Sequence, residues 1–463
     1  MVAPMSRTLL GCALCSLTLG CGDSNHQLAD APLAIDAATA CTPSGSPIMH
    51  TAAITADETW AAGIHVVPST IAVTGGTLTI APCSEVQLGA DASIELSQNA
   101  VALLAHGTAA SPIAFVRQTT DKPWGHLSAY ISSKLDLAYT TLAGGGTAGT
   151  YQSADQLGAT LVVRASTGLP QLLAIDHVTV SGSSGIGVFM NGARFTTGST
   201  ALTIKQSGYF PILLGADCAT ELPEGVYTGN LTDEILLQTA GTAAAYDQIR
   251  TIVADTTLHD RGVPYRVGAV PTTIVVGDDL PGGATPTLTI EAGVALRFTP
   301  QGTGGSSALV VRGTSSGLPQ AALVAVGTAA RPITFTSAGA TPAAGDWQGL
   351  ELRYAIATAT RLDHVAIQDA GGRSYSTSVC EWKNNTGDPS SDSALLISLS
   401  PGNVPGEFMT NSTVSNSAGA GVRRGWSVTD VSFRPTNTFT GIAGCTETNI
   451  PNNLNTCPTT ACP

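Results

Sequence analysis

The chain of 463 residues is poor in charge, in aromatic side chains and in basic runs. Only 11% of its residues are Asp, Glu, Lys or Arg, and only 5% are Phe, Trp or Tyr. Charge that sparse excludes a coiled coil, whose exposed positions need Glu, Lys and Arg, while a hydrophobic content of 43% excludes wholesale disorder. A formal net charge of −13 without a basic stretch argues against nucleic acid as a partner. Beyond the N-terminus no apolar run reaches the roughly 18–20 residues that a membrane-spanning helix needs. The cysteines that follow Cys21 make no paired Cys-x-x-Cys site, so no zinc is expected, and nothing calls for another metal or a cofactor.

What is abundant is turn chemistry, with 51 Gly and 26 Pro. The length exceeds one ordinary domain but suits one elongated repeat fold. The acidity is uneven: between Arg7 and Arg117 there is no Lys or Arg, and that stretch holds Asp23, Asp30, Asp36, Asp57, Glu58, Glu85, Asp91 and Glu95. The charge therefore belongs largely to the N-terminal segment and first coils, and is no sign of an acidic active site.

Residues 1–20 carry one base, Arg7, and an apolar run from Leu9 to Leu19, about the length of a signal-peptide core. The run ends Leu17-Thr18-Leu19-Gly20-Cys21, which resembles a bacterial lipobox with Cys21 as the lipidated residue. Residues 21–50, rich in Ala, Asp, Pro, Ser and Thr, then read as a flexible tether, because they bury too little apolar surface to offset ordering. The expected address is the cell envelope, lipid-anchored at the outer membrane or cell surface, or secretion if Cys21 carries no lipid. Seven further cysteines suit an oxidising compartment. The expected disulfides are Cys41–Cys83 and a C-terminal set drawn from Cys380, Cys445, Cys457 and Cys462, which leaves Cys218 as the odd thiol.

Internal similarity dominates the body of the chain. Thr77-Leu78-Thr79-Ile80 returns as Thr287-Leu288-Thr289-Ile290, and Gly107-Thr108-Ala109-Ala110-Ser111-Pro112-Ile113-Ala114-Phe115 returns as Gly327-Thr328-Ala329-Ala330-Arg331-Pro332-Ile333-Thr334-Phe335. Trp124-Gly125 matches Trp347-Gln348-Gly349, and Thr179-Val180-Ser181 matches Thr413-Val414-Ser415. Within a copy, alternating triplets such as Leu78-Thr79-Ile80, Val86-Gln87-Leu88, Ile94-Glu95-Leu96 and Val101-Ala102-Leu103 follow one another every seven or eight residues. Three strands per cycle predict an all-β, right-handed parallel β-helix solenoid, with two copies of one module in a continuous stack. Coils of that kind lack a core of their own and gain one by stacking aliphatic side chains. The expected organisation is a signal at 1–20, a tether at 21–50, a first copy with its connector at 51–235, a second copy at 236–440 and a Cys-containing tail at 441–463.

These phrases, with Leu362-Asp363-His364-Val365 and the connector from Gly208-Tyr209-Phe210-Pro211 to Ile235, resemble bacterial β-helix surface proteins of the pectin-lyase-like superfamily. That superfamily includes lyases and hydrolases of polysaccharides, so the resemblance implies motifs to look for. The Arg-x-Pro-x-x-Arg of the lyases is missing, since Arg331-Pro332 is adjacent. The only Asp-Asp, Asp278-Asp279, has no accompanying Gly-His-Gly and reads as a solvated loop.

Asp176-His177 and Asp363-His364 lie in strand-like alternation, and the first resembles the Ile-Asp-His segment of pectate lyases. Neighbours in a strand point to opposite faces, so neither pair is expected to converge on one atom. Trp124 and Trp347 are expected to pack beneath a turn rather than to stack on sugar. The least repeat-like loop, Tyr375 to Ser393, carries Trp382, Lys383, Asn384 and Asn385 as a candidate contact surface. The functional expectation is a monomeric, membrane-anchored, extracytoplasmic scaffold or binding protein for polysaccharide or protein partners, with no catalytic residue assigned. The alternative is a divergent polysaccharide lyase or glycoside hydrolase.

Overall fold

The computed structural model describes residues 41–147, 158–165, 168, 170–238, 251–278, 283–302, 305–313, 320–354, 357–374, 392–399, 406–426, 429–452 and 458–463. Cys21, Cys380, Cys457, Trp382, Lys383, Asn384 and Asn385 lie outside them. The described chain is a parallel β-helix: its strands are short, every registered strand pair is parallel, and one 3-10 helix, Ala216–Glu221, interrupts them.

Alternation builds the core. In the strand Thr77–Ile80, Leu78 and Ile80 face inward and are buried, while the two threonines are half-buried. Stacking then places like on like: Leu78 pairs with Leu103, Leu103 with Leu135, and Leu135 with Leu173 on four successive coils. All four have under 2% of their surface exposed, so each coil completes the core of its neighbour. Parallel pairing simultaneously satisfies the backbone groups that burial would leave costly.

A thirteen-stranded sheet runs the length of the stack, from Ile71–Val73 to Thr438–Ile442. It shows that the two copies are stacked out of phase. In the first copy this sheet is formed by the third strand of each cycle, such as Ile94–Leu96 and Leu127–Tyr130. In the second copy it is formed by the second strand, such as Ala295–Phe298 and Ile333–Ser337. The strands equivalent to those two, Ser84–Leu88 and Ile113–Arg117, belong to a different sheet in the first copy. The join lies at Ile235–Gln238 and Tyr265–Val267, where the pair Ile235–Tyr265 carries the ladder over. Sequence equivalence and position around the stack thus differ by one face.

Both ends are closed. At the start, Cys41 is disulfide-bonded to Cys83, and Ile48–Met49 pairs with His65 and Val66. Residues 41–50, assigned to the tether from sequence, therefore belong to the first coil. At the other end Cys445 is bonded to Cys462, and the tail segment around Glu447 is buried against Arg424 and the Phe433 backbone. Arg424 takes the register position of a core residue, opposite Ile397, and covers the open end of the core with hydrogen bonds to Thr448 and Val431. Cys218 is a buried thiol outside either bridge.

Candidate functional site

The corner between the first and second strands of each cycle decides where side chains go. Tyr139, His177, His364 and Asn411 occupy it, with φ of +44°, +53°, +51° and +51°. A residue in this left-handed region breaks strand alternation, so it and the residue before it need not face opposite sides. In both Asp-His pairs the two side chains consequently lie side by side instead of on the opposite faces expected from alternation, although only the first pair is joined by a hydrogen bond. His177 Nδ1 donates to Asp176 Oδ1 at 2.6 Å, and His364 Nδ1 lies 3.2 Å from Asp363 Oδ1.

The two pairs differ in what surrounds them. Asp363 is buried and saturated: Thr410 Oγ1 at 3.1 Å and Asn411 Nδ2 at 2.9 Å donate to Oδ1, and Arg361 Nη2 donates to Oδ2 at 3.0 Å. Burial alone would raise this carboxyl, but the donors from Asn411, Thr410 and Arg361, with His364 beside them, hold it below its ordinary value. Asp363 is a bracket tying consecutive coils together.

Asp176 and His177, by contrast, expose 51% and 53% of their side chains. The Tyr139 ring stacks on His177 from the preceding coil, with centroids 4.6 Å apart and planes 4° from parallel. Asp136 lies two positions before Ala138, whose register partners are His106 on one side and Asp176 on the other. His106 Nε2 in turn lies 2.8 Å from Asp136 Oδ1. An outward-facing strip of two His–Asp pairs and one tyrosine therefore spans three coils of the first copy. Its equivalents in the second copy, Val326, Arg361, Asp363, His364, Thr410 and Asn411, form no such exposed strip.

With Asp176 as acceptor, the His177 proton sits on Nδ1 and Nε2 is turned to solvent. Such an imidazole can accept a proton or a hydrogen bond, and its ring can stack on an apolar ligand face. Among the described residues no group of three His, Cys, Asp or Glu side chains is placed to hold a metal ion.

Other sequence candidates fall elsewhere. Trp124 and Trp347 are fully buried, and their Nε1 atoms donate at 2.8 Å to the equivalent carbonyls of Ala143 and Gln368. Their glycines serve different ends. A Cβ at Gly125 would lie 2.0 Å from Ser93 Oγ, whereas Gly349 has φ +121°. Asp278 lies within the described residues and Asp279 outside them.

Two clusters escaped sequence reasoning. At the N-terminal end His50 is sandwiched with Trp60, ring centroids 3.9 Å apart, and bonds His65 at 2.9 Å. His65 Nε2 must donate to the Ala61 carbonyl, so its Nδ1 accepts from His50 Nε2. Burial and the His65 ring push the His50 imidazole below its ordinary value, against the opposing pull of Glu58. On the outer side of the third strand set in the second copy, buried Glu351 accepts from Gln348 Nε2 at 3.1 Å and Arg353 Nε at 2.7 Å. The His50–His65 contact crosses between coils, which a linear pattern does not display, whereas Gln348, Glu351 and Arg353 are near neighbours on one strand segment.

No protein-family model, curated protein or solved structure matches this chain.

Proposed function

We propose that the chain is a membrane-anchored, extracytoplasmic β-helix that binds a polysaccharide or protein partner on its outer surface without transforming it. The observation that carries this reading is the stack of exposed His177 on half-buried Tyr139, edged by Asp136 and Asp176. A rigid parallel sheet holds these groups, so little ordering cost falls on binding. The apolar run leading to Cys21, the spacer after it, and the resemblance to pectin-lyase-like surface proteins support the address and the binding role.

Two assays test it. Detergent-phase partitioning of the full chain is expected to retain the wild type and to release Cys21→Ser into the aqueous phase. Pull-down with insoluble polysaccharides and cell-envelope fractions is expected to retain the protein through the first copy, and loss of neither property on substitution of Cys21 and His177 would reject the reading.

A second reading, a divergent hydrolase or lyase, draws on the Asp176–His177 geometry, since an oriented imidazole with an outward Nε2 is what a general base needs. Reducing-end and unsaturated-product assays over the same polysaccharides decide it. Product that disappears in His177→Ala would favour catalysis over binding.

A further inference from the structure

The corner column that holds Tyr139 and His177 has a fixed pitch, and its contents change along it. Successive coils place Gly107, Tyr139, His177 and Ala201 at this corner, as the flanking pairs Ala138–His106, Ala138–Asp176 and Asp176–Thr200 show. Neighbouring strands lie about 4.8 Å apart, which leaves room for one ring, whose van der Waals contact needs about 3.5–4.0 Å, but not for two. The Tyr139–His177 stack, at 4.6 Å and nearly parallel, uses one such step. The next step belongs to Ala201, which has only a Cβ and shares the left-handed backbone of the column at φ +53°. One ring-thick ledge is therefore left above His177. The His177 side chain is 53% exposed, which a second covering ring would not permit.

The rim of the ledge is rich in acceptors. Asp176 Oδ1 is engaged by His177 while half of the Asp176 side chain stays exposed, and exposed Thr200 is its register partner on the next coil. Asp136 stands one coil below, and Glu224, whose carbonyl accepts from Leu202 N, is exposed one coil above. A ring that continues the stack and meets carboxylates at its edge must have an apolar face and hydrogen-bond donors around it. A pyranose meets both requirements, since its C–H face packs on an imidazole and its hydroxyl or ammonium groups donate. Uronate rings, whose carboxylates would face Asp176 and Glu224, do not.

We infer that the ledge over His177, at the level of Ala201, binds a pyranose ring of a neutral or amino-sugar glycan, stacked on the open face of His177 and hydrogen-bonded to Asp176. This rests on the binding role proposed above and names its ligand class. The ledge also explains why Asp176 and His177 are exposed while Asp363 and His364 are locked into coil packing.

The test is titration calorimetry of the full chain with three probes: cellohexaose, a chitosan hexamer and a hexagalacturonate. Binding of at least one of the first two, with no binding of the third, is the expected result. Ala201→Tyr fills the ledge with a side chain that the column already accommodates at Tyr139, and His177→Ala removes the platform. Each is expected to weaken binding at least tenfold with an unchanged melting temperature. Undiminished affinity in Ala201→Tyr would overturn the ledge while leaving polysaccharide binding intact. Failure of all three probes with envelope pull-down intact would overturn the ligand class alone, and failure of both would remove the binding role itself.

Discussion

Glu234 and Arg297, sixty-three positions apart, form an ion pair across the join between the two copies. Glu234 exposes 5% of its side chain and also faces Arg266, whose Nη1 lies 3.5 Å from it. Arg266 Nη1 donates in turn to the Ala338 carbonyl at 3.2 Å and its Nε to Thr299 Oγ1 at 3.1 Å. Removing the carboxylate leaves two arginines side by side on adjacent coils. Glu234→Ala is therefore expected to cost about 2–3 kcal/mol by chemical denaturation, and Arg297→Ala less, because Arg266 still pairs with the acid. Equal and negligible losses would show that the join does not depend on this pair.

The N-terminal cluster makes stability depend on pH. The folded His50 value lies below the ordinary imidazole value of 6.5, so the neutral ring is the form that folding favours. Its contribution is whole above 6.5 and is lost as pH falls through the lower folded value. As pH falls from about 7.5 to 5 the wild type should lose more stability than His50→Phe, which keeps the stack on Trp60 but cannot take a proton. Parallel melting curves for the two proteins across that range would contradict the assignment.

The two Asp-His pairs should separate stability from binding. Asp363→Ala removes an acceptor shared by Arg361, Thr410 and Asn411 and is expected to destabilise by about 2–3 kcal/mol. Because its carboxyl is held below the ordinary value of 3.8, this stability is present above that value and is lost as pH falls through the folded one. Asp176→Ala, on an exposed pair, should change stability by no more than about 0.5 kcal/mol yet weaken ligand retention. The reverse pattern in denaturation and pull-down would exchange the two roles.

The two disulfides among the described residues each close one end of the stack. Cys41 and Cys83 are 42 residues apart, and Cys445 and Cys462 are 17 apart. The chain-entropy account gives about 4 kcal/mol for the longer loop and about 3 kcal/mol for the shorter one, both as upper values. Loss of the first bridge in a Cys41→Ser, Cys83→Ser variant should therefore lower the denaturation midpoint more than loss of the second. Exchange of amide protons at Ile48–Met49 should rise first when the bridge at the start is removed.

Much of this architecture was legible in the sequence. The returning Thr-Leu-Thr-Ile and Gly-Thr-Ala-Ala phrases mark strands because inward positions must be apolar on every coil, and the stack confirms the inward set Leu78, Ile80, Leu288 and Ile290. The corner was not legible, because alternation assumes extended backbone throughout, Tyr139 does not announce a left-handed φ, and histidine's enrichment in that region is too weak a signal to override a strand pattern. Asn411, at the matching place in the second copy, belongs to the type that visits that region most readily. Pairing between coils escaped as well. Glu234 meets Arg297, and His50 meets His65, through stacking distances that no local spacing encodes.

The phase difference between the copies bears on valency. A duplication in register would have offered two equivalent surfaces in one direction, like teeth along one side of a comb. Here the equivalent strands are displaced by one of three faces, so the corresponding surfaces point about a third of a turn apart around the axis. A flat lattice lying against the first copy cannot engage the matching face of the second. Duplication thus lengthens the rod and gives each copy a separate direction to evolve in, and avidity for one flat surface is not among its gains.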